Sequence, residues 1–220
     1  MAVVSTSGAV SHVVTCRSHG DLAVGGDPAV LAQRREAIVA RPWTWLHQVH
    51  GADVVTVTRP GEHAGATADA AVTTPPGAPI AVHTANCAPV LLVAHGGVGV
   101  AHAGWRGLLG GVIEATAEAL TALGTPPHGV VLGPCIRARC YEFGEQDLDR
   151  VAARYGAAVR SSTGWGTPAL DVAAGVRTAS ERLGLTFTDT SVCTACSHDH
   201  WSHRARTDTG RQALVAWMEP

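Results

Sequence analysis

Short apolar runs broken by glycine and proline dominate this chain, and stretches of helical period fall between them. The first such stretch opens at Asp27 as N-cap with Pro28 in the first helical position. Val30, Leu31, Ala37 and Ile38 then share one face through Ala40. Strand-like runs follow over 53–59, 80–84, 90–94 and 98–101. Thr73-Thr74-Pro75-Pro76-Gly77 is the densest breaker region and predicts a loop between two apolar runs. A second helix is predicted over about 108–123, with Leu109, Val112, Ile113, Leu120 and Leu123 on a broad apolar face. Gly124, Pro126 and Pro127 end it. A strand at 130–132, a helix near 145–155, a helix from Asp171 to Leu183 stopped by Gly184, and strands near 190–194 and 214–218 complete the pattern. Strands outnumber helices and come in clusters, which predicts an α+β class with mixed sheets rather than a doubly wound fold. No linker, charge block or repeat divides the chain, so residues 1–220 read as one domain.

Composition narrows the function classes. Hydrophobic residues make up 46% of the chain and charged residues 15%, the balance of a packed protein rather than a disordered one. A formal net charge of −2 offers nothing to a nucleic-acid polyanion. No run of 18 apolar residues is present, so no membrane partner is expected. Met1 to Val14 lacks the basic region and apolar run of a signal peptide, so a cytoplasmic protein is expected. In that compartment the six cysteines are not expected to pair as structural disulfides, and with twelve histidines they raise metal or thiol chemistry instead.

Three segments carry that chemistry. They are His47-Gln48-Val49-His50-Gly51, His83-Thr84-Ala85-Asn86-Cys87-Ala88-Pro89 and Ala101-His102-Ala103-Gly104-Trp105-Arg106-Gly107. Each puts a soft or borderline ligand at the end of an apolar strand, where loops gather. A catalytic zinc takes three protein ligands from His and Cys and leaves a fourth position open, and one ligand per segment gives His50, Cys87 and His102. Their separations of 37 and 15 residues match no compact metal motif. The same residues also read as a buried small hydrophobe and two hydrogen-bonded imidazoles.

The strings Q-V-H-G, T-A-x-C-x-P-V-L-L and H-A-G-W-R-G before a helix resemble the laccase-domain family. Its members have been called polyphenol oxidases and multifunctional purine nucleoside phosphorylases with adenosine deaminase activity. Leu132-Gly133-Pro134-Cys135-Ile136, Cys140-Tyr141-Glu142-Phe143-Gly144, Leu170-Asp171, Cys193-Thr194 and Trp201 to Arg211 extend the likeness from about residue 14 to the C-terminus. The resemblance implies mixed β-sheets flanked by helices, grouped with cysteine hydrolases, and zinc at the positions of His50, Cys87 and His102. It implies phosphorolysis of adenosine-, inosine- and guanosine-type nucleosides and of methylthioadenosine, with adenosine deamination, by a monomer or homodimer acting on a small nucleoside and phosphate.

The chain also departs from the family pattern. The loop after Val14-Thr15-Cys16-Arg17-Ser18-His19-Gly20 is short and runs almost directly into Gly25-Gly26-Asp27-Pro28. Asn86 replaces the carboxylate of T-A-D-C, and His203-Arg204 replaces a paired arginine. Arg106, at a predicted helix N-terminus, is the first candidate to hold phosphate, or else a salt-bridge residue. Arg17, Asn86 and His47 are the further substrate-contacting candidates. His83 and His95 read as structural or as ligand-orienting partners, and Glu142 as a capping or salt-bridge residue ahead of an acid or base. Cys193-Thr194-Ala195-Cys196 with His198, His200 and His203 resembles half a zinc ribbon that lacks two ligands, and Cys135 and Cys140 are the cysteines that could supply them at a distance.

Several functions compete. Zinc-assisted nucleoside chemistry leads. A thiol amidohydrolase acting on a cell-wall peptide precursor would use Cys87 as nucleophile and His102 or His50 as base. Polyphenol oxidation by several coppers asks for closely spaced His pairs together with an H-C-H segment, a combination this chain lacks. A binding module without catalysis is the remaining reading, if Asn86 removes activity.

Overall fold

The computed structural model describes residues 4–7 and 10–220, so part of the Met1–Val14 stretch lies outside the described residues. In chain order the first half holds β1 (Val4–Ser7), β2 (Val10–Val14), α1 (Pro28–Ile38), β3 (Thr44–His47), β4 (Val54–Val57), β5 (Ala66–Thr67), β6 (Ala70–Thr73), β7 (Ile80–Thr84), β8 (Ala88–Ala94) and β9 (Gly97–Ala103). The second half holds α2 (Trp105–Gly110), α3 (Val112–Ala122), β10 (Pro127–Leu132), α4 (Glu145–Tyr155), β11 (Arg160–Ser162), β12 (Pro168–Leu170), α5 (Val172–Arg182), β13 (Thr186–Asp189), α6 (His203–Arg206) and β14 (Gln212–Met218).

Two six-stranded mixed sheets form the frame, in the orders β1-β2-β14-β7-β3-β5 and β13-β10-β8-β9-β6-β4. The class is α+β. The sheets face each other across a core that draws Ile80, Val82, Leu214 and Ala216 from one and Leu91, Val93, Val98 and Val100 from the other. The outer face of the first sheet, with Ala81, Ala213 and Val215, packs on Leu31 of α1. The outer face of the second, with Val90, Leu92 and Ala101, packs on α3, α4 and α5 through Ile113, Leu120, Val151 and Val176. Both sheets are covered on both sides, so β8, β9 and β14 read as continuous apolar runs and every residue in them is buried.

Local chemistry sets the helix ends as the sequence leads one to expect. The Asp27 carboxylate accepts from the N–H groups of Ala29 and Val30, and the Asp171 carboxylate from Ala174. Other boundaries differ. The expected helix over 108–123 is two helices, because Gly111 sits at φ 82°, a left-handed turn that ends α2 and begins α3. Val30 stands in solvent, so Leu31 alone is buried in α1. The strand expected at 190–194 lies upstream as β13, where Thr186 to Asp189 pair in parallel with Gly129 to Leu132. β1, β2, β5, β6, β11 and β12 were not foreseen, whereas β3 is the strand expected ahead of His47. Among the described residues, no helix is long and apolar enough to cross a membrane.

Candidate functional site

The C-terminal ends of β3, β7 and β9 and the start of β8 meet at one edge of the two sheets, and the three sequence segments come together there. Gln48 fixes the first: its amide donates to the His83 carbonyl at 2.9 Å and accepts from the His83 N–H at 2.7 Å, lacing the loop after β3 to β7. His50 then takes a left-handed backbone, φ 63°, a costly conformation for a residue with a Cβ. A buried carboxylate holds it there. Asp69 accepts from the N–H groups of Val49 (3.1 Å), His50 (2.9 Å) and Gly51 (2.7 Å).

The same carboxylate reaches His102 on β9, with Nδ1 and Oδ1 2.8 Å apart. That leaves Nε2 of His102 for the cavity side and fixes the ring orientation, as carboxylates do for metal-bound histidines. The donor atoms of His50, Cys87 and His102 all lie within 4.8 Å of one another. Gly104 makes this convergence possible: a Cβ there would stand 2.9 Å from Cδ2 of His50 and 3.1 Å from the Cys87 sulfur. Burial alone would raise the Cys87 thiol. The charge on His102 and hydrogen bonds from both histidines outweigh it and bring the thiol down to about 6. Burial opposes the charged form of His102, but the Cys87 charge and the Asp69 hydrogen bond raise it to about 9. Two imidazoles, a thiolate and an outer carboxylate are a donor set that fits zinc.

These residues floor a cavity of about 580 Å³ whose walls include His47, Asn86, Trp105, Arg106, Tyr141 and Arg204. Arg106 makes no ion pair among the described residues; its guanidinium lies 4.5 Å from the Trp105 ring centroid. Arg204 lies over Tyr141 in the same way, 4.9 Å from the ring centroid. Burial pushes the Tyr141 hydroxyl up to about 12, so it stays protonated.

Other candidates fall elsewhere. Arg17 does not line the cavity: its guanidinium pairs with Asp208 and covers Trp201 at 4.0 Å, so its charge is already matched. Asn86 reaches the wall, but its amide nitrogen donates to Ser202 (2.8 Å) and Thr194 (3.1 Å) and its oxygen accepts from the N–H of Arg204 (2.7 Å). The Asn86 amide thus ties the approach to β8 to α6. His83 also reaches the wall, with neither ring nitrogen hydrogen-bonded, and burial lowers it to about 3, a neutral imidazole. His95 stacks on His128 at 4.4 Å, outside the cavity. Glu142 accepts from Trp165 (2.9 Å) and Thr167 (3.1 Å) and also stands outside it. Cys135 is buried and its thiol is pushed up to about 12 by burial; Cys140 instead gathers with Cys193 and Cys196. Asp69 and the wall pair Tyr141 and Arg204 were not singled out by sequence reasoning, although the last two lie within the quoted family-like strings.

Comparisons agree with this architecture. Residues 1–219 match the model of a family described as multi-copper polyphenol oxidoreductase laccase. A purine nucleoside phosphorylase of Streptomyces coelicolor is 43% identical over 209 residues, covering 90% of this chain and 86% of the relative. One of Mycobacterium tuberculosis is 35% identical over 207 residues, covering 89% and 82%. The crystal structure of a Neisseria meningitidis protein superposes with a TM-score of 0.86 at 28% identity, covering 100% of this chain and 99% of that one. YlmD from Geobacillus stearothermophilus superposes at 0.84 with 26% identity, covering 97% and 93%. The chain belongs to the multi-copper polyphenol oxidoreductase laccase family.

Proposed function

We propose that this protein is a zinc-dependent purine nucleoside phosphorylase of the cytoplasm that also deaminates adenosine. Its substrates are adenosine-, inosine- and guanosine-type nucleosides and methylthioadenosine. The observation that carries the reading is a cavity in which a His/Cys/His donor set faces two aromatic rings and two guanidiniums that make no ion pair among the described residues. Relatives named purine nucleoside phosphorylase support it.

Phosphorolysis breaks the bond from C1′ to the base nitrogen, with the electron pair leaving on the base, and joins C1′ to a phosphate oxygen. Arg106 is the residue for the phosphate: an unpaired planar fork beside the backbone N–H groups that open α2. α2 is only six residues long, so the guanidinium rather than a helix dipole carries the attraction. Trp105 and Tyr141 offer flat faces to a purine, and the protonated Tyr141 hydroxyl is a donor for a base nitrogen. Asp69 keeps His102 and the His50 loop in place. When bound at His50, Cys87 and His102, zinc supplies Lewis acidity and brings ionisation of water within reach near neutral pH.

The test is inosine cleavage across a phosphate titration. Arg106→Ala removes a charge-assisted contact of about 1.5–3 kcal/mol, so the phosphate requirement rises roughly ten- to a hundredfold. Adenosine deamination, which uses no phosphate, changes far less. Arg106→Lys restores charge without the fork and recovers part of the loss. Equal loss of both activities, or an unchanged phosphate dependence, sinks the assignment.

One observation favours a second reading. The lowered Cys87 thiol beside His102 is also an activated nucleophile, suited to amide hydrolysis. Metal content separates the two, because a zinc-bound thiolate is a poor free nucleophile. A His₂Cys set also serves a single copper. Multi-copper oxidation needs many more imidazoles, and the metal-capable groups among the described residues contain two.

A further inference from the structure

A second group of soft ligands lies outside the cavity chemistry. Cys140 closes the short turn Ala138–Cys140 just before Tyr141, and Cys193 and Cys196 occupy the C-T-A-C turn that follows β13. Their sulfurs lie within 4.8 Å of one another, with those of Cys140 and Cys196 3.4 Å apart. Tetrahedral zinc with Zn–S bonds of about 2.3 Å sets its sulfurs about 3.8 Å from each other, inside that range. A disulfide needs about 2.05 Å.

Backbone bonds fix the turn: the N–H groups of Cys196 and Ser197 both donate to the Cys193 carbonyl, and the Thr194 N–H donates to that of Cys135. Arg137 donates to the carbonyl of Val192, and Arg206 to those of Thr194 and Ala195, placing two guanidiniums along the same turn. Three thiolates and one zinc carry a net single negative charge; Arg137 is already paired with Asp189, so Arg206, which shares Asp208 with Arg17, is the cation left to offset it. Among the described residues no His, Asp or Glu joins the three sulfurs, so the fourth position falls to solvent beside the exposed Cys196.

We propose that Cys140, Cys193 and Cys196 bind a second, structural zinc ion as three thiolates and one water, releasing three thiol protons to solvent. The ion staples the turn that carries Tyr141 to the segment gripped by Arg206. Asn86 reaches that same segment through Thr194, and Arg204 through its N–H to the Asn86 oxygen. One wall of the cavity is thereby fixed from behind.

Zinc content of the full chain, purified with zinc chloride in excess and then freed of loose metal, tests this. The unaltered protein is expected to hold two equivalents, Cys87→Ala one, Cys196→Ser one and the double variant none. Far-ultraviolet circular dichroism reports whether each variant is folded; Cys196 is exposed, so serine there disturbs little packing. Cobalt(II) added to Cys87→Ala protein should give an intense thiolate-to-metal charge-transfer absorption that Cys140→Ser removes. One equivalent in the unaltered protein and none in Cys87→Ala overturns the second site and leaves the proposed function standing. One equivalent that survives Cys87→Ala and vanishes in Cys196→Ser upholds the second site and removes zinc from the proposed function. A Cys140–Cys196 disulfide in protein kept reduced throughout, with no metal in Cys87→Ala, also overturns it.

Discussion

A carboxylate buried without exposure must match its charge and lone pairs internally, and Asp69 does so with four partners on two segments. Replacing it with asparagine keeps the volume but gives one acceptor oxygen and one N–H₂ group, which faces a donor whichever way the amide turns. Either the His102 ring or the 49–51 turn then loses its acceptor. Asp69→Asn should therefore weaken zinc binding at His50, Cys87 and His102 by about 10–100-fold while the fold persists. Competition with a chromophoric zinc chelator measures it, best in a Cys196→Ser background so that one site is read. An affinity within twofold of the parent's would show that Asp69 does not orient these ligands. Nothing local marks this residue in the sequence: Asp69 is one acid amid Ala66, Thr67, Ala68, Ala70 and Ala71, 33 positions before its partner. The convergence of His50, Cys87 and His102 was legible because each lies at or just beyond the end of a strand inside a distinctive string. The roles of Asn86 and Arg17 were not, since both are settled by Thr194, Ser202 and Asp208, far away in the chain.

Elements show the same division between local and distant causes. α4 and the starts of α1 and α5 were legible from Asp27, Pro28, Asp171 and a helical period, all within a few residues. β5, β11 and β12 have two or three residues each and carry no period. β13 was placed four residues late because Thr190 to Thr194 has as much β-character as Thr186 to Asp189. Leu185 and Phe187 settle it by packing on the helix-side core, and the Asp189 carboxylate settles it again by receiving both arms of Arg137 at 2.6 and 2.7 Å. That pair predicts a pH signature. Burial would raise the Asp189 carboxyl, but the Arg137 hydrogen bonds and the Ser191 N–H hold it below the usual range. A depressed carboxyl adds stability above its unfolded value of about 3.9, and the gain is lost as pH falls through the lower folded value. Arg137→Met should cost about 2 kcal/mol near pH 7, shrinking as pH falls below the unfolded carboxyl value and through the lower folded one. Urea unfolding at a series of pH values reads the gap; a gap independent of pH would mean that packing of the arginine stem, not the ion pair, is what counts.

For the whole molecule the arrangement of layers decides what a metal can and cannot do. Three apolar clusters, one between the sheets and one under each helical layer, hold the fold without drawing on His50 or His102. The donor set sits at the sheet edge, where the loops after β3 and β7 and the end of β9 arrive already fixed by Gln48 and Asp69. This layering follows from pairings such as Leu214 with Val14 and with Val82, some 130 to 200 residues apart, which no local pattern announces. Metal removal should then leave the frame intact, unlike in a zinc finger, where the ion supplies the folding energy itself. After dialysis against a strong chelator, the far-ultraviolet spectrum should be unchanged and thermal unfolding should remain cooperative, with a lower midpoint. Returning zinc should raise the midpoint in step with the logarithm of its free concentration, because an ion that binds only the folded state stabilises by RT ln(1 + [L]/Kd). Added magnesium at the same concentrations should not, since it prefers oxygen donors. Collapse of the spectrum on chelation would mean that the sheet edge is assembled by the metal rather than offered to it, and that the three clusters do not suffice.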